Sequence, residues 1–233
     1  MRKLSVIIID DERSARDEIR RLLEPYAEFI IVGEARDADE AKLKIEQLNP
    51  DIIFLDIQMP EQSGFDLLET LSEVPEVIFS TAYDEYAVQA FEKNALDYLM
   101  KPIRIERFSR AITKILDKFP DSSAAGRRIF VKDGSNYYFV PVDKIYLIES
   151  KDNYACLHFE RRKVLIKTSL TQLEEKLGDN GFFRINRAQI INTHYIEAVT
   201  IGKTGGMKVK LITGEILDVS ERQSIKLKTS YRF

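Results

Sequence analysis

Five residues in the first half of the chain have types and positions that suit one chemistry. Asp10 and Asp11 follow the apolar run Leu4–Ile9, Asp56 closes Ile52–Asp56, Thr81 follows Val77–Ser80, and Lys101 follows Leu96–Met100. In an open sheet of parallel strands, ligands bind beyond the carboxyl ends of the strands. Three carboxylates, a hydroxyl and an ammonium would therefore share one rim. Crowded carboxylates repel one another unless a cation or a proton intervenes, and hard oxygen donors with room for water suit Mg²⁺ or Mn²⁺. Each residue also has an ordinary role: an acidic pair can cap a helix, Lys-Pro can mark a turn, and a threonine after a strand can bond locally. Five such positions on the strand ends of one sheet favour a cation site.

The elements that must position these residues alternate along the chain. Between the apolar runs, with Ile30–Glu34 as the second, lie amphipathic stretches at Ser14–Leu23, Ala38–Leu48, Gly64–Leu71, Glu85–Glu92 and Ile105–Phe119. Their apolar residues recur at three and four positions, as a helix face requires. Five βα units in succession, with strands apolar enough to be buried on both faces, imply an α/β fold: a doubly wound parallel sheet between two layers of helices.

The strings VIIIDDE, FLDIQMP, STAYDEYA and DYLMKP carry a resemblance to the receiver domain of two-component response regulators, spanning about residues 3–119. The resemblance implies that Asp56 is a phosphoacceptor served by a sensor histidine kinase. It implies metal ligands at Asp11, Asp56 and the backbone carbonyl of Gln58, with Asp10 acting mainly through water. Lys101 and the Thr81 hydroxyl would each contact a phosphoryl oxygen, and the Lys101–Pro102 bond would be cis. Tyr98 is then the switch residue, moving between exposed and buried positions. The face built from the fourth predicted helix, the fifth strand and the fifth helix would pass the change to a homodimer partner formed on phosphorylation.

Bulk properties set the frame. A chain of 233 residues suits two domains. No apolar run approaches the roughly 18 residues of a membrane span, so no membrane insertion is expected. The basic, apolar N-terminus meets two acids at once and reads as a first strand and not a signal peptide. One cysteine, Cys156, fits a packing role in a reducing compartment, the cytoplasm by default. Residues 1–120 carry 16 Lys and Arg against 25 Asp and Glu, whereas the remaining 113 carry 19 against 13. An acidic module is fused to a basic one, which favours a polyanionic partner.

The segment 120–126, small and polar, reads as a linker between a domain at 1–119 and one at 127–233. Beyond it short β-prone runs dominate, and only Leu170–Leu177 and Ser220–Tyr231 look helical, with Ser169–Gln172 suited to a helix start. The second domain is therefore mostly β, with short helices. The stretches IYLIESKDNY from Ile145, FFRINRAQIINTHYIEAV from Phe182 and GEILDVSERQ from Gly214 resemble the LytTR DNA-binding domain over about residues 127–231. That resemblance implies loops inserted into successive major grooves of double-stranded DNA, with promoter direct repeats as targets and a role in transcription regulation.

Groove readers need Arg for guanine, Asn or Gln for adenine, and cations for phosphates. The candidates are Asn153, Tyr154, Asn186, Arg187 and Arg222 for bases, and Lys151, Lys167, Arg184 and Lys203 for phosphates. Members of the family commonly carry His, Arg and Ser where this chain has Asn186, Arg187 and Ala188, so its base preference at that groove differs. Phe182 and Phe183 read as core residues.

Two other readings compete. A protein- or RNA-binding module would draw on aromatic pairs, of which Tyr137 and Tyr138 are a weak version. An enzyme in the second half would need more than His158, His194 and one cysteine without nucleophile–base spacing, so no catalytic activity is expected there.

Overall fold

The computed structural model describes residues 3–82, 95–119, 127–134, 136–178, 181–201 and 206–231. The chain forms two compact units, Met1–Pro141 and Val142–Phe233.

In the first unit, β1 (Leu4–Ile9), β2 (Phe29–Ala35), β3 (Ile52–Leu55), β4 (Glu76–Thr81) and β5 (Asp97–Met100) form a parallel sheet in the order β2-β1-β3-β4-β5. The described helices are α1 (Arg13–Leu23), α2 (Ala38–Leu48), α3 (Gly64–Thr70) and α4 (Ile105–Lys118). Side chains alternate across a strand, so Ile7, Ile9, Ile53, Leu55, Val77 and Phe79 enter one core with α2 and α3. Val6, Ile8, Ile52, Phe54 and Ile78 enter the other with α1 and α4. Local chemistry sets the helix ends. Asp37 caps α2 by accepting from the Glu40 amide at 2.8 Å, and Asn49 ends it in the left-handed region. Ser63 and Asp66 cap each other's backbone at the start of α3. The helix expected over Glu85–Glu92 lies outside the described residues.

The unit boundary differs from the sequence expectation. The hairpin β6 (Arg128–Asp133) and β7 (Asn136–Pro141), expected to open the second domain, belongs to the first unit. Its backbone joins the loop before β4, where the Val74 amide donates to the Arg128 carbonyl at 3.0 Å. Phe130 and Phe139 enter the same core as Phe65 and Phe79. Glu76, fully buried, is paired with Arg128 at 2.8 Å and Lys118 at 2.7 Å. A charge taken out of water needs such partners, so the hairpin supplies both apolar cover and a counter-ion.

The second unit is mostly β. An antiparallel sheet runs in the order β10-β9-β8-β12-β11, from β8 (Ile145–Lys151), β9 (Tyr154–Phe159), β10 (Arg162–Ile166), β11 (Phe182–Asn186) and β12 (Gln189–Asn192). A second sheet pairs β13 (Ile196–Ile201), β14 (Met207–Leu211) and β15 (Ile216–Val219). Helix α5 (Leu170–Leu177) starts with the expected Ser169–Gln172 capping box, and α6 covers Glu221–Tyr231. Leu147, Ile185, Ile191, Val209, Leu211 and Leu227 form the core between them. Strand β11 was not legible as a strand: in FFRIN only Ile185 is fully buried, so period-two alternation is weak. Phe183 packs against this core as expected.

Candidate functional site

The carboxyl ends of the parallel strands bring the first set of residues together. Asp10 and Asp56, at the ends of β1 and β3, are both buried, and Asp11 is exposed beside them. Carboxylate oxygens from these three residues lie within 4.8 Å of one another. Lys101, directly after β5, reaches back between two of them, its Nζ 2.7 Å from Asp10 Oδ2 and 2.6 Å from Asp56 Oδ2. Its backbone amide donates to the Thr81 carbonyl at 2.9 Å, and the Lys101–Pro102 bond is cis.

Charge compensation at the rim is incomplete. Burial raises the pKa of Asp10 above the ordinary aspartate value, and its hydrogen bond to Lys101 opposes this without cancelling it. Burial pulls Lys101 the other way, but its hydrogen bonds to Asp10 and Asp56 hold its pKa above the ordinary value. Three crowded carboxylates share one ammonium, and hard oxygen donors are what Mg²⁺ takes, so the residues present fit a divalent cation.

Two supporting residues escaped the sequence reading. A Cβ at Gly64 would lie 2.3 Å from the Asp56 carbonyl oxygen, so only glycine lets α3 start this close to the site. Its signal was a glycine directly behind the Ser63 cap. Arg16 donates to the Asp10 carbonyl at 2.7 Å and pairs with Glu34 at 3.1 Å, tying the β1 loop to β2. Nothing local marks such a partner. Tyr98, the expected switch, is buried in this structure within the core that holds Phe79 and Phe130. Its carbonyl accepts from Arg107 Nη2 at 2.6 Å, and Arg107 grips Asp97 through both carboxylate oxygens.

In the second unit, three turns meet at one end of the large sheet. Lys151 ends β8, Asp152 and Asn153 form the β8–β9 turn, and Tyr154 opens β9, all four exposed. Register pairs Glu149 with Gln189, and the Ser150 amide donates to the Ala188 carbonyl at 2.8 Å, which places the β11–β12 turn alongside. The Ser220 amide donates to the Ile185 carbonyl at 2.9 Å and brings in the start of α6, where Arg222 is exposed. Lys167 follows Ile166, which pairs with Ala155, so it lies at the same end. Lys203 lies outside the described residues.

Two expected DNA contacts are turned inward. Arg184 donates to the carbonyls of Asn186 at 3.3 Å and Arg187 at 3.1 Å and to Thr171 at 3.2 Å, and pairs with Glu174 at 3.3 Å. Asn186 donates to Gln189 and to the Asp218 carbonyl, both at 2.9 Å, and accepts from the Ala188 amide at 2.9 Å. Local sequence marks both as polar turn residues and hides these partners, up to 32 positions away. Arg187 is exposed, and no side-chain partner of it is found among the described residues. Tyr137, on which the RNA-binding alternative drew, stacks on Phe65 within the first unit.

Comparison with known proteins matches both halves. Residues 6–113 match the response regulator receiver domain, and residues 135–232 the LytTr DNA-binding domain. An uncharacterized response regulatory protein of Vibrio cholerae is 34% identical over 238 residues, covering 99% of each chain. The sensory transduction protein LytT of Bacillus cereus is 31% identical, covering 98% of this chain and 99% of that one. The transcriptional regulatory protein BtsR of Salmonella typhi is 30% identical over 97% of this chain and 98% of its own. With receiver and DNA-binding domain matched in this order, and relatives aligned over nearly the whole length, the chain belongs to the response regulators of the LytTR type, two-component transcription regulators that bind DNA.

Proposed function

We propose that Asp56 is the phosphoacceptor of this regulator and that a sensor histidine kinase in the cytoplasm is its donor. One Asp56 carboxylate oxygen attacks phosphorus, the bond from phosphorus to the kinase imidazole breaks, and the departing ring nitrogen takes up a proton. The product is an acyl phosphate on Asp56. Mg²⁺ or Mn²⁺, held by Asp11, Asp56 and the Gln58 carbonyl with Asp10 acting through water, would supply charge that neutralises the phosphoryl oxygens. Lys101 exchanges a carboxylate for a phosphoryl oxygen, and the Thr81 hydroxyl donates to another. Tyr98 fills the space that Thr81 leaves, and the altered face pairs with a second copy.

The observation that carries this reading is Lys101 Nζ, held within 2.7 Å of two buried carboxylates. A cation so placed can neutralise charge arriving at Asp56. Full-length protein incubated with radiolabelled acetyl phosphate and Mg²⁺ should take up label, and Asp56→Asn should take up none. Labelling that survives the substitution refutes the assignment.

In the output domain, Arg187 and Arg222 read base edges in double-stranded promoter DNA, at direct repeats. Asn153 and Tyr154 support a neighbouring groove, and Lys151 and Lys167 hold phosphates. What supports this is the meeting of their three turns at one end of the sheet, with both arginines exposed.

A further inference from the structure

The turn that carries Arg187 is held from beneath by a continuous chain of side chains. Asn186 Oδ1 accepts from the Ala188 amide, closing the turn, and its Nδ2 donates to Gln189 Oε1 at 2.9 Å. Gln189 Nε2 donates to Glu149 Oε1 at 2.9 Å, and the other carboxylate oxygen of Glu149 lies 2.9 Å from Nε2 of the buried His158. The second Nδ2 hydrogen of Asn186 reaches the Asp218 carbonyl, three residues before the helix that presents Arg222. From the edge strand, Arg184 closes on the carbonyls of Asn186 and Arg187.

Donor and acceptor accounting decides what these residues do. An asparagine that reads adenine must offer both its amide oxygen and its amide nitrogen to one base edge. Both Nδ2 hydrogens of Asn186 are already engaged, and its oxygen holds the turn. Turning it outward would break its bonds to the Asp218 carbonyl, the Ala188 amide and Gln189 Oε1 together. Arginine–guanine recognition, by contrast, depends on a guanidinium delivered within about half an ångström of its geometry. Arg187 is the side chain of this turn left for that task.

We infer that Asn186, Gln189 and Glu149, seated on His158, form a positioning relay that presents Arg187 to a guanine edge and couples its turn to the helix carrying Arg222. The inference rests on the reading of Arg187 as a base contact. Asn186 and Arg184 are then positioning residues and not DNA contacts.

The test uses the full-length protein and the duplex that it selects from a random-sequence pool, with affinity measured by competition. Gln189→Met keeps the length of the side chain and removes both hydrogen bonds; it should weaken binding about tenfold, within the range of one lost bidentate base contact. Glu149→Gln should stay within about threefold of the parent, because its amide oxygen still accepts from Gln189 and its nitrogen can face His158. The double variant Gln189→Met/Arg187→Ala should bind no more weakly than Arg187→Ala alone, since the relay acts through that arginine. If the two losses multiply, or if Gln189→Met binds as the parent does, the relay is overturned while the Arg187 contact stands. Parent affinity in Arg187→Ala overturns both. Gln189→Leu, which also removes both hydrogen bonds and leaves the Asn186 bond to Asp218 in place, provides the same non-additivity test should Gln189→Met fail to fold, and multiplying losses there would equally refute the relay.

Discussion

Phe65 stacks on Tyr137 with ring centroids 4.7 Å apart and planes inclined by 18°. One ring belongs to the first turn of α3, the other to the hairpin that follows the receiver in sequence. Phe130 lies against both rings, at 5.3 Å from Tyr137 and 6.2 Å from Phe65. The hairpin is thus part of the receiver's core, although the sequence places it on the far side of the linker. In the full chain, Tyr137→Ala should destabilise the first unit by about 2 kcal/mol, combining lost ring pairing with lost burial. Denaturant unfolding followed by a receiver-specific probe checks this, and an unchanged midpoint would mean that the hairpin does not support the receiver.

Gly64 provides a second test, because its α-hydrogen occupies the only space that the Asp56 carbonyl leaves. A methyl group there would lie 2.3 Å from a backbone oxygen that cannot rotate away. Gly64→Ala should therefore displace either the start of α3 or the Asp56 loop, at a cost of about 1–3 kcal/mol. Uptake of label from acetyl phosphate should slow at least tenfold. A variant with parent stability and labelling rate would show that the loop yields freely.

Much of the first unit was legible because its strands are unambiguous: runs such as Val6–Ile9 and Ile52–Leu55 are buried on both faces and bounded by turn residues. Strand ends then locate Asp10, Asp56, Thr81 and Lys101 without knowledge of any contact. The packing of the hairpin on α3 was not legible, because strand pattern does not say which sheet or helix will cover a strand. Phe130 and Phe139 announce an apolar face, but the covering residue, Phe65, is far away in sequence. The β11–β12 turn of the second unit was legible in composition and not in its contacts. Arg184, Asn186 and Arg187 look equivalent as polar turn residues, and only Asp218, Glu149 and Glu174, distant in sequence, distinguish two that point inward from one that points out.

Asp97 gives the first unit a pH dependence with a definite sign. Burial raises its pKa, but hydrogen bonds from Arg107 and Lys114 outweigh burial and hold the carboxyl below the ordinary aspartate value. A depressed folded-state pKa contributes stability that is fully present above the unfolded value of 3.8 and is lost as pH falls through the folded value. Unfolding midpoints of the parent should therefore drop as pH falls below about 4. Asp97→Asn should start lower at neutral pH and show a shallower slope across that acid window. Equal slopes in the two proteins would assign the acid sensitivity to other carboxylates.

Salt separates the two kinds of DNA contact proposed for the second unit. A lysine at a phosphate releases counterions on binding, so losing it lowers the slope of log affinity against log salt by about one. Lys151→Ala and Lys167→Ala should behave in this way and weaken all duplexes alike. Arg222→Ala removes the proposed base reader: it should cost about 1–3 kcal/mol on the selected duplex and much less on a scrambled one. The division suits their placement: Lys151 and Lys167 are exposed at the sheet end, whereas Arg222 sits on a helix whose lead-in is bonded to β11 through Ser220 and Asp218. Competition titrations at several salt concentrations with both duplexes measure slope and selectivity together. Were Arg222→Ala to weaken selected and scrambled DNA equally, its guanidinium would be a phosphate contact, and reading of the second groove would pass to Asn153 and Tyr154.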